Sequence, residues 1–292
     1  MTNIEFEQLF ENGYVILDGA MGTNLYRAGM PRGVCTEKWI LNHIDTVEQL
    51  QKAYVEAGSQ VIYAPTFGAN RHMLEGHGLA DRLAAMNKEL VQLSKRAAGG
   101  RACVAGDMSP TGLVLKSIGG DVELEEVYEI YREQAEVLVS AGVDLFAVET
   151  MMSQDETVIA LDALRSVTDL PVMVTMSVQA DGMAYMGGNI YDAAEALEAM
   201  GASAVGVNCC SGPDQLVSLV HTLGERVQIP VIAKPNAGMP KIDNYGQAVY
   251  DMDAEHFGMH MRALYEAGAR MLGGCCGTTP EYIQALVSAV RF

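Results

Sequence analysis

Short runs of β-branched and small apolar residues alternate with longer amphipathic stretches from one end of this chain to the other, and that alternation restricts its fold more than any other feature. The apolar runs fall at 14–18, 60–65, 102–107, 145–149, 172–176, 204–208, 231–234 and 271–274. Helical patterns lie near 45–57, 81–98, 123–141, 153–167, 191–200, 213–226, 253–267 and 280–290, with Asp45, Ser153 and Asp253 as N-caps and Pro280 in a first turn. Eight strands alternating with eight helices predict an α/β protein, a (β/α)8 barrel. A doubly wound open sheet would carry Gly-x-Gly-x-x-Gly after its first strand, and Gly19-Ala20-Met21-Gly22 stands there instead. No Pro-, Ser- or charge-rich linker interrupts the pattern, so residues 1–292 read as one barrel domain. The longest irregular pieces, 177–190 and 236–252, both follow strand ends and read as lids or pocket walls.

Nineteen basic residues against 37 acidic ones give a formal charge of −18. Nucleic acids and anionic membranes both need a basic footprint, so neither is an expected partner. No apolar run approaches the roughly 18 residues of a membrane span. The first residues are acidic and lack a basic leader region, which makes the cytoplasm the expected location. In that reducing compartment the six cysteines, Cys35, Cys103, Cys209, Cys210, Cys275 and Cys276, are expected as thiols or metal ligands rather than disulfides.

A barrel gathers its eight strand ends on one rim. Here the ends carry Asp18, Thr66, Asp107, Glu149, Ser177, Cys209, Asn236 and the pair Cys275-Cys276. Three thiolates from two distant segments, Cys209, Cys275 and Cys276, can hold Zn²⁺ and leave its fourth tetrahedral position open for a reactant. So thiolate-rich a site is a poor water activator but suits a fourth sulfur kept ionised and electron-rich. The expected chemistry is therefore nucleophilic displacement by a thiolate. A closed four-thiolate site using Cys210 is disfavoured, because neighbouring side chains at a strand end point apart. Asp18 and Glu149 are the expected ammonium-binding carboxylates. Gly19, Ala20 and Thr23 lie in a small-residue turn whose amides can meet a ligand carboxylate, and Asn208 and Asn236 complete the candidate substrate-binding set. Glu149 ends an apolar run, where an ionised group needs a partner. The six histidines form no ligand set; His256 and His260 read as a solvated helix pair. Met151, Met152, Met183 and Met186 lie in rim loops, where flexible apolar side chains could line a docking surface.

These motifs in this order resemble the homocysteine S-methyltransferase family, most closely the homocysteine-binding module of its cobalamin-dependent branch. The matching stretches are 18–23, 66–70, Pro110-Thr111-Gly112, Glu149-Thr150, 206–209, 235–238 and 273–280. The resemblance implies methyl transfer to the thiol of L-homocysteine, giving methionine, with Zn²⁺ on Cys209, Cys275 and Cys276 and the ammonium on Asp18 and Glu149. The chain departs from the family at Tyr63-Ala64-Pro65, where Glu-Thr-Asn is usual, at Ser109 in place of a glycine, and in the extra thiol of Cys210. Pro65 removes a backbone donor near the expected pocket.

The resemblance implies methylcobalamin as the donor, and since the sequence holds no Asp-x-His-x-x-Gly motif for cobalamin, a separate corrinoid protein is expected to deliver it. The stretches 235–238 and 250–253 resemble the cobalamin-linked branch. The alternatives are an S-methylmethionine- or betaine-dependent enzyme, a non-catalytic barrel that binds homocysteine or a corrinoid protein, and a redox sensor built on the paired cysteines.

Overall fold

The computed structural model describes residues 1–242 and 248–291. Eight of its strands form a parallel sheet: β1 (Val15–Ile16), β2 (Val61–Tyr63), β3 (Cys103–Met108), β4 (Leu145–Met151), β5 (Val172–Met176), β6 (Ala204–Asn208), β7 (Val231–Lys234) and, after a rim hairpin, β10 (Ala269–Leu272). Their order is β1-β10-β7-β6-β5-β4-β3-β2, and a parallel bridge from Leu17 to Val61 joins the two ends, so the sheet closes as a (β/α)8 barrel.

Side chains alternate across a strand, and both faces of this sheet are covered. Val15, Leu17, Val61, Tyr63, Ala105, Leu145, Ala147, Met173, Ala204, Ile232 and Met271 fill the barrel interior. Their neighbours Ile16, Ile62, Val104, Phe146, Val148, Val174, Val205, Val207, Ala233 and Leu272 belong to the cluster packed under the helices. Burial on both faces is why the strands read as unbroken apolar runs. Phe6, on the helix Asn3–Gln8, packs with the interior set, so the N-terminal helix seals one end of the barrel. At Gly206 the strands leave no room for a side chain: a Cβ there would lie 2.0 Å from the Ile232 carbonyl oxygen.

The eight expected helices are present as Ile44–Ala57, Leu83–Ala98, Leu124–Ala141, Gln154–Val167, Ile190–Ala199, Val217–Arg226, Ala254–Glu266 and Pro280–Val290. Ser153 and Asp253 cap their helices, accepting from Glu156 N and His256 N. Asp45 does not cap: His43 occupies that position, and Asp45 lies in the first turn. There its charge complements the helix dipole. The short helices Gly22–Arg27, Thr36–Asn42 and Arg71–Glu75 have too few turns to show a period, and they add to the rim. The loop at 177–190 carries antiparallel bridges from Val178 to Ala184 and from Met183 to Asn189. The segment 236–252 contains the antiparallel pair β8 (Pro240–Ile242) and β9 (Ala248–Tyr250); its residues 243–247 lie outside the described residues. No helix among the described residues is long and apolar enough to cross a membrane.

Candidate active site

Backbone geometry at the rim brings the three cysteines together. Cys209 follows β6 in the left-handed region at φ 53°, a conformation that L-residues other than Gly, Asn and Asp seldom adopt. Its N–H donates to the Lys234 carbonyl at 3.3 Å, and that of Cys275 donates to the Pro235 carbonyl at 2.7 Å. Gly274 has no room for a side chain, since a Cβ would lie 2.5 Å from Thr278 Oγ1. The Sγ atoms of Cys209 and Cys276 are 3.5 Å apart, and all three sulfurs lie within 4.8 Å of one another. Thiolates at the corners of a zinc tetrahedron stand about 3.8 Å apart, so the donor set fits that ion.

The trio also shares its protons unevenly. Hydrogen bonds from Cys209 and Cys275 hold the Cys276 thiol down to about 3, and hydrogen bonding to Cys209 and Cys276 pushes Cys275 up. Cys210 packs against the apolar core and stands outside the cluster. Among the described residues no other group of His, Cys, Asp and Glu converges closely enough to hold a metal. All six cysteines are free thiols; that of Cys35 donates to Glu37 Oε2 at 3.4 Å. His256 is exposed and pairs with Asp253.

Beside the sulfurs is a cavity of about 270 Å³, the scale of an amino acid rather than a large cofactor. Asp18, Gly19, Ala20, Thr23, Glu149 and the three cysteines all line it. Its wall also carries Tyr63, Asp107 and Lys234. Lys234, at the end of β7, is only 4% exposed. Its Nζ lies 2.9 Å from Asp18 Oδ1, 3.8 Å from Glu149 Oε2 and 3.7 Å from the centre of the Tyr63 ring. Burial opposes the charge, but Asp18, Tyr63 and Glu149 outweigh it and hold the ammonium well above the ordinary lysine range. The other oxygen of Asp18, Oδ2, accepts from Tyr63 N at 2.8 Å. Burial raises Glu149 to about 6 against the pull of Lys234. Burial, then Glu149, holds Asp107 well above the usual carboxylate range.

Asn208 and Asn236 do not line the cavity but support it. Fully buried Asn208 accepts from Thr150 N at 2.8 Å and donates to Thr150 Oγ1 at 2.8 Å and to Glu149 Oε2 at 3.2 Å. Among the described residues Thr150 is the other non-glycine residue at positive φ, 62°. Asn208 therefore fixes a strained turn and aims Glu149. Asn236 donates its N–H to the Ser211 carbonyl, and Ala237 N donates to the Cys276 carbonyl, so this loop braces the cysteine turn. The N–H of Ala20 is already given to Thr278 Oγ1 at 3.0 Å, and Thr23 Oγ1 accepts from Gly277 N at 3.1 Å.

Two residues of this wall, Lys234 and Tyr63, escape a sequence reading of the site. Lys234 ends an apolar run just as Glu149 does, and the need of a buried charge for a partner applies equally to it. Tyr63 is visible only as a departure from a motif; its ring face on an ammonium is a tertiary fact.

Residues 15–290 match the profile of a family described as homocysteine S-methyltransferase. The methionine synthases of Mycobacterium leprae (strain TN) and Mycobacterium tuberculosis (strain ATCC 25618 / H37Rv) are each 31% identical to this chain over 293 residues. The match takes in 94% of this chain and 24% of theirs, so the chain spans about a quarter of the length of these relatives. Among solved structures, the homocysteine methyltransferase MmuM from Escherichia coli superposes in its oxidised form with a TM-score of 0.81 at 22% identity, covering 96% of this chain and 97% of that one. Its metallated form gives 0.80 at 21% identity, covering 97% and 98%. At these identities the likeness is one of fold.

Proposed function

Because the chain belongs to the homocysteine S-methyltransferase family, we propose that it methylates the thiol of L-homocysteine to give methionine, with Zn²⁺ held by Cys209, Cys275 and Cys276. The observation that carries this reading is the convergence of three sulfurs within 4.8 Å at the edge of a cavity walled by carboxylates. Bound there, zinc would hold the acceptor's sulfur as a thiolate at neutral pH. The remaining work falls to the chain's own side chains. Glu149, aimed by Asn208, faces the ammonium, and Asp18 and Lys234 set the charge of the same wall. Cys275 and Cys276 are fixed by backbone hydrogen bonds, so little reorganisation accompanies the reaction. The acceptor sulfur forms its bond to the methyl carbon as the methyl–donor bond breaks, and that bond's electron pair leaves with the donor.

For the donor we propose methylcobalamin carried by a corrinoid protein, a choice supported by the 31% identity to methionine synthases and by the stretches 235–238 and 250–253. Reduced cysteines of this kind suit the cytoplasm. The test offers the zinc-loaded protein homocysteine with methylcobalamin, S-methylmethionine or betaine in turn, and measures methionine. Product from methylcobalamin, lost together with about one zinc per chain in Cys275→Ala, is the expected result. Product only from S-methylmethionine or betaine overturns the donor. Zinc and homocysteine binding with no product from any donor makes the barrel a binding protein.

A further inference from the structure

Resting on the reading of Zn²⁺ on three cysteines, we propose that Tyr250 is a positioning residue of that centre: its hydroxyl binds the Cys276 thiolate, so that the methyl group goes to the acceptor's sulfur and not to the protein's own. An acceptor held there shares the ion with three cysteine sulfurs, and a metal-bound thiolate is itself a nucleophile. Some contact must set the protein's sulfurs apart from the acceptor's. The hairpin β8–β9 supplies one. Among its paired residues Pro240, Lys241, Ile242, Ala248 and Val249 are exposed, and only Tyr250 is half-buried.

The Tyr250 ring lies against the turn that carries Cys275 and Cys276. Gly277 stands there at φ 87°, and a Cβ on it would lie 2.5 Å from Cγ and Cδ2 of that ring, so the glycine leaves the ring its place. The base of the hairpin is tied to the same turn. Met252 N donates to the Ala237 carbonyl at 3.2 Å, and Ala237 N donates to the Cys276 carbonyl at 2.9 Å. The Tyr282 hydroxyl donates to the Met252 carbonyl at 2.7 Å and holds the second arm. From this seat the Tyr250 hydroxyl donates to the Cys276 sulfur, while Asn208 Nδ2 approaches the Cys275 sulfur at 3.9 Å. A donor on a thiolate draws charge from its lone pairs, and nucleophilicity falls with basicity. Tyr250 stands outside the wall of the cavity, so it acts on an acceptor only through Cys276.

The test exposes the zinc-loaded full chain, without acceptor, to iodomethane and follows methylation of each cysteine by peptide mass spectrometry. A thiolate that reacts forms its S–C bond as iodide leaves with the electron pair of the C–I bond. Tyr250→Phe keeps the ring on Gly277 and removes only the hydroxyl. Cys276 should then be methylated about 10-fold faster than in wild type, the loss of one charge-assisted hydrogen bond, with zinc content and the rate at the remote thiol of Cys103 unchanged. In the cobalt-substituted protein the sulfur-to-metal charge-transfer band should move to longer wavelength in the variant, a shift that packing alone does not produce. An unchanged Cys276 rate or an unmoved band in a metal-replete variant overturns the proposal and leaves the metal reading intact, and so does equal acceleration at all three cysteines. Loss of zinc from a folded variant also overturns it, since the hydroxyl would then hold the site together rather than quieten one sulfur. A wild type that binds no zinc removes the metal reading and this inference together. Tyr250→Leu, which also lacks the hydroxyl, repeats the comparison if the phenylalanine variant does not fold.

Discussion

Replacing Lys234 with Met keeps the length of the side chain and removes its charge from the most buried ion pair among the described residues. Lys234 and Asp18 are each 4% exposed, with 2.9 Å between Nζ and Oδ1. Removing one partner strands the other, and breaking a pair so buried costs about 3–5 kcal/mol. At roughly 2.1 cal/mol/K of unfolding entropy per residue, 292 residues give about 0.6 kcal/mol/K, so the midpoint should fall by about 5–8 °C. The discriminating measurement is a second variant, Lys234→Met with Asp18→Asn, whose amide oxygen can still accept from the Tyr63 N–H. With both charges gone the stranded carboxylate disappears, and most of the lost midpoint should return. Calorimetric melts of wild type, both single variants and the double variant at pH 8 complete the cycle. A single variant within about 2 °C of wild type, or a double variant whose loss equals the sum of the singles, refutes the claim that the pair is held by mutual compensation.

Glu149 gives a pH signature. Its carboxyl is raised from 4.5 to about 6, so its contribution is fully present below pH 4.5 and is lost as the pH rises through 6. The loss is about 2 kcal/mol, and Glu149→Gln should lack it; denaturant titrations of metal-free protein at pH 4.5 and 7 compare the two slopes. Cys210→Ala should leave the zinc content of purified protein unchanged by elemental analysis, since Cys210 stands outside the sulfur cluster. Asn208→Ala should cost about 1–3 kcal/mol, read as a lower melting temperature, because it leaves the half-buried N–H of Thr150 without its acceptor. It should also weaken homocysteine binding by freeing Glu149, a change that calorimetric titration reads directly.

The barrel was legible because its signal is local and repeated. Strands β5, β6 and β7 coincide with their apolar runs, while β10 begins two residues before the run at 271–274, at Ala269. Ser153 and Asp253 cap as expected, but Asp45 yields to His43 because the backbone turns two residues earlier, where no side-chain signal marks it. The short rim helices and the hairpin β8–β9 carry no period long enough to read. The three cysteines were legible because few other arrangements use thiols in two glycine-flanked turns at strand ends that flank a third strand, β6 and β10 on either side of β7.

Composition and spacing, taken alone, determine that this chain closes a parallel barrel and turns three sulfurs toward one rim, for each of those facts repeats or is written within a few neighbouring residues. Which charges face one another is settled only by closure. Asp18 and Lys234 are 216 positions apart, and no local pattern relates them. Folding places β1, β2, β3, β4 and β7 around one small cavity, and there Lys234 claims Asp18 while Asp107 Oδ1 has no hydrogen-bond partner among the described residues.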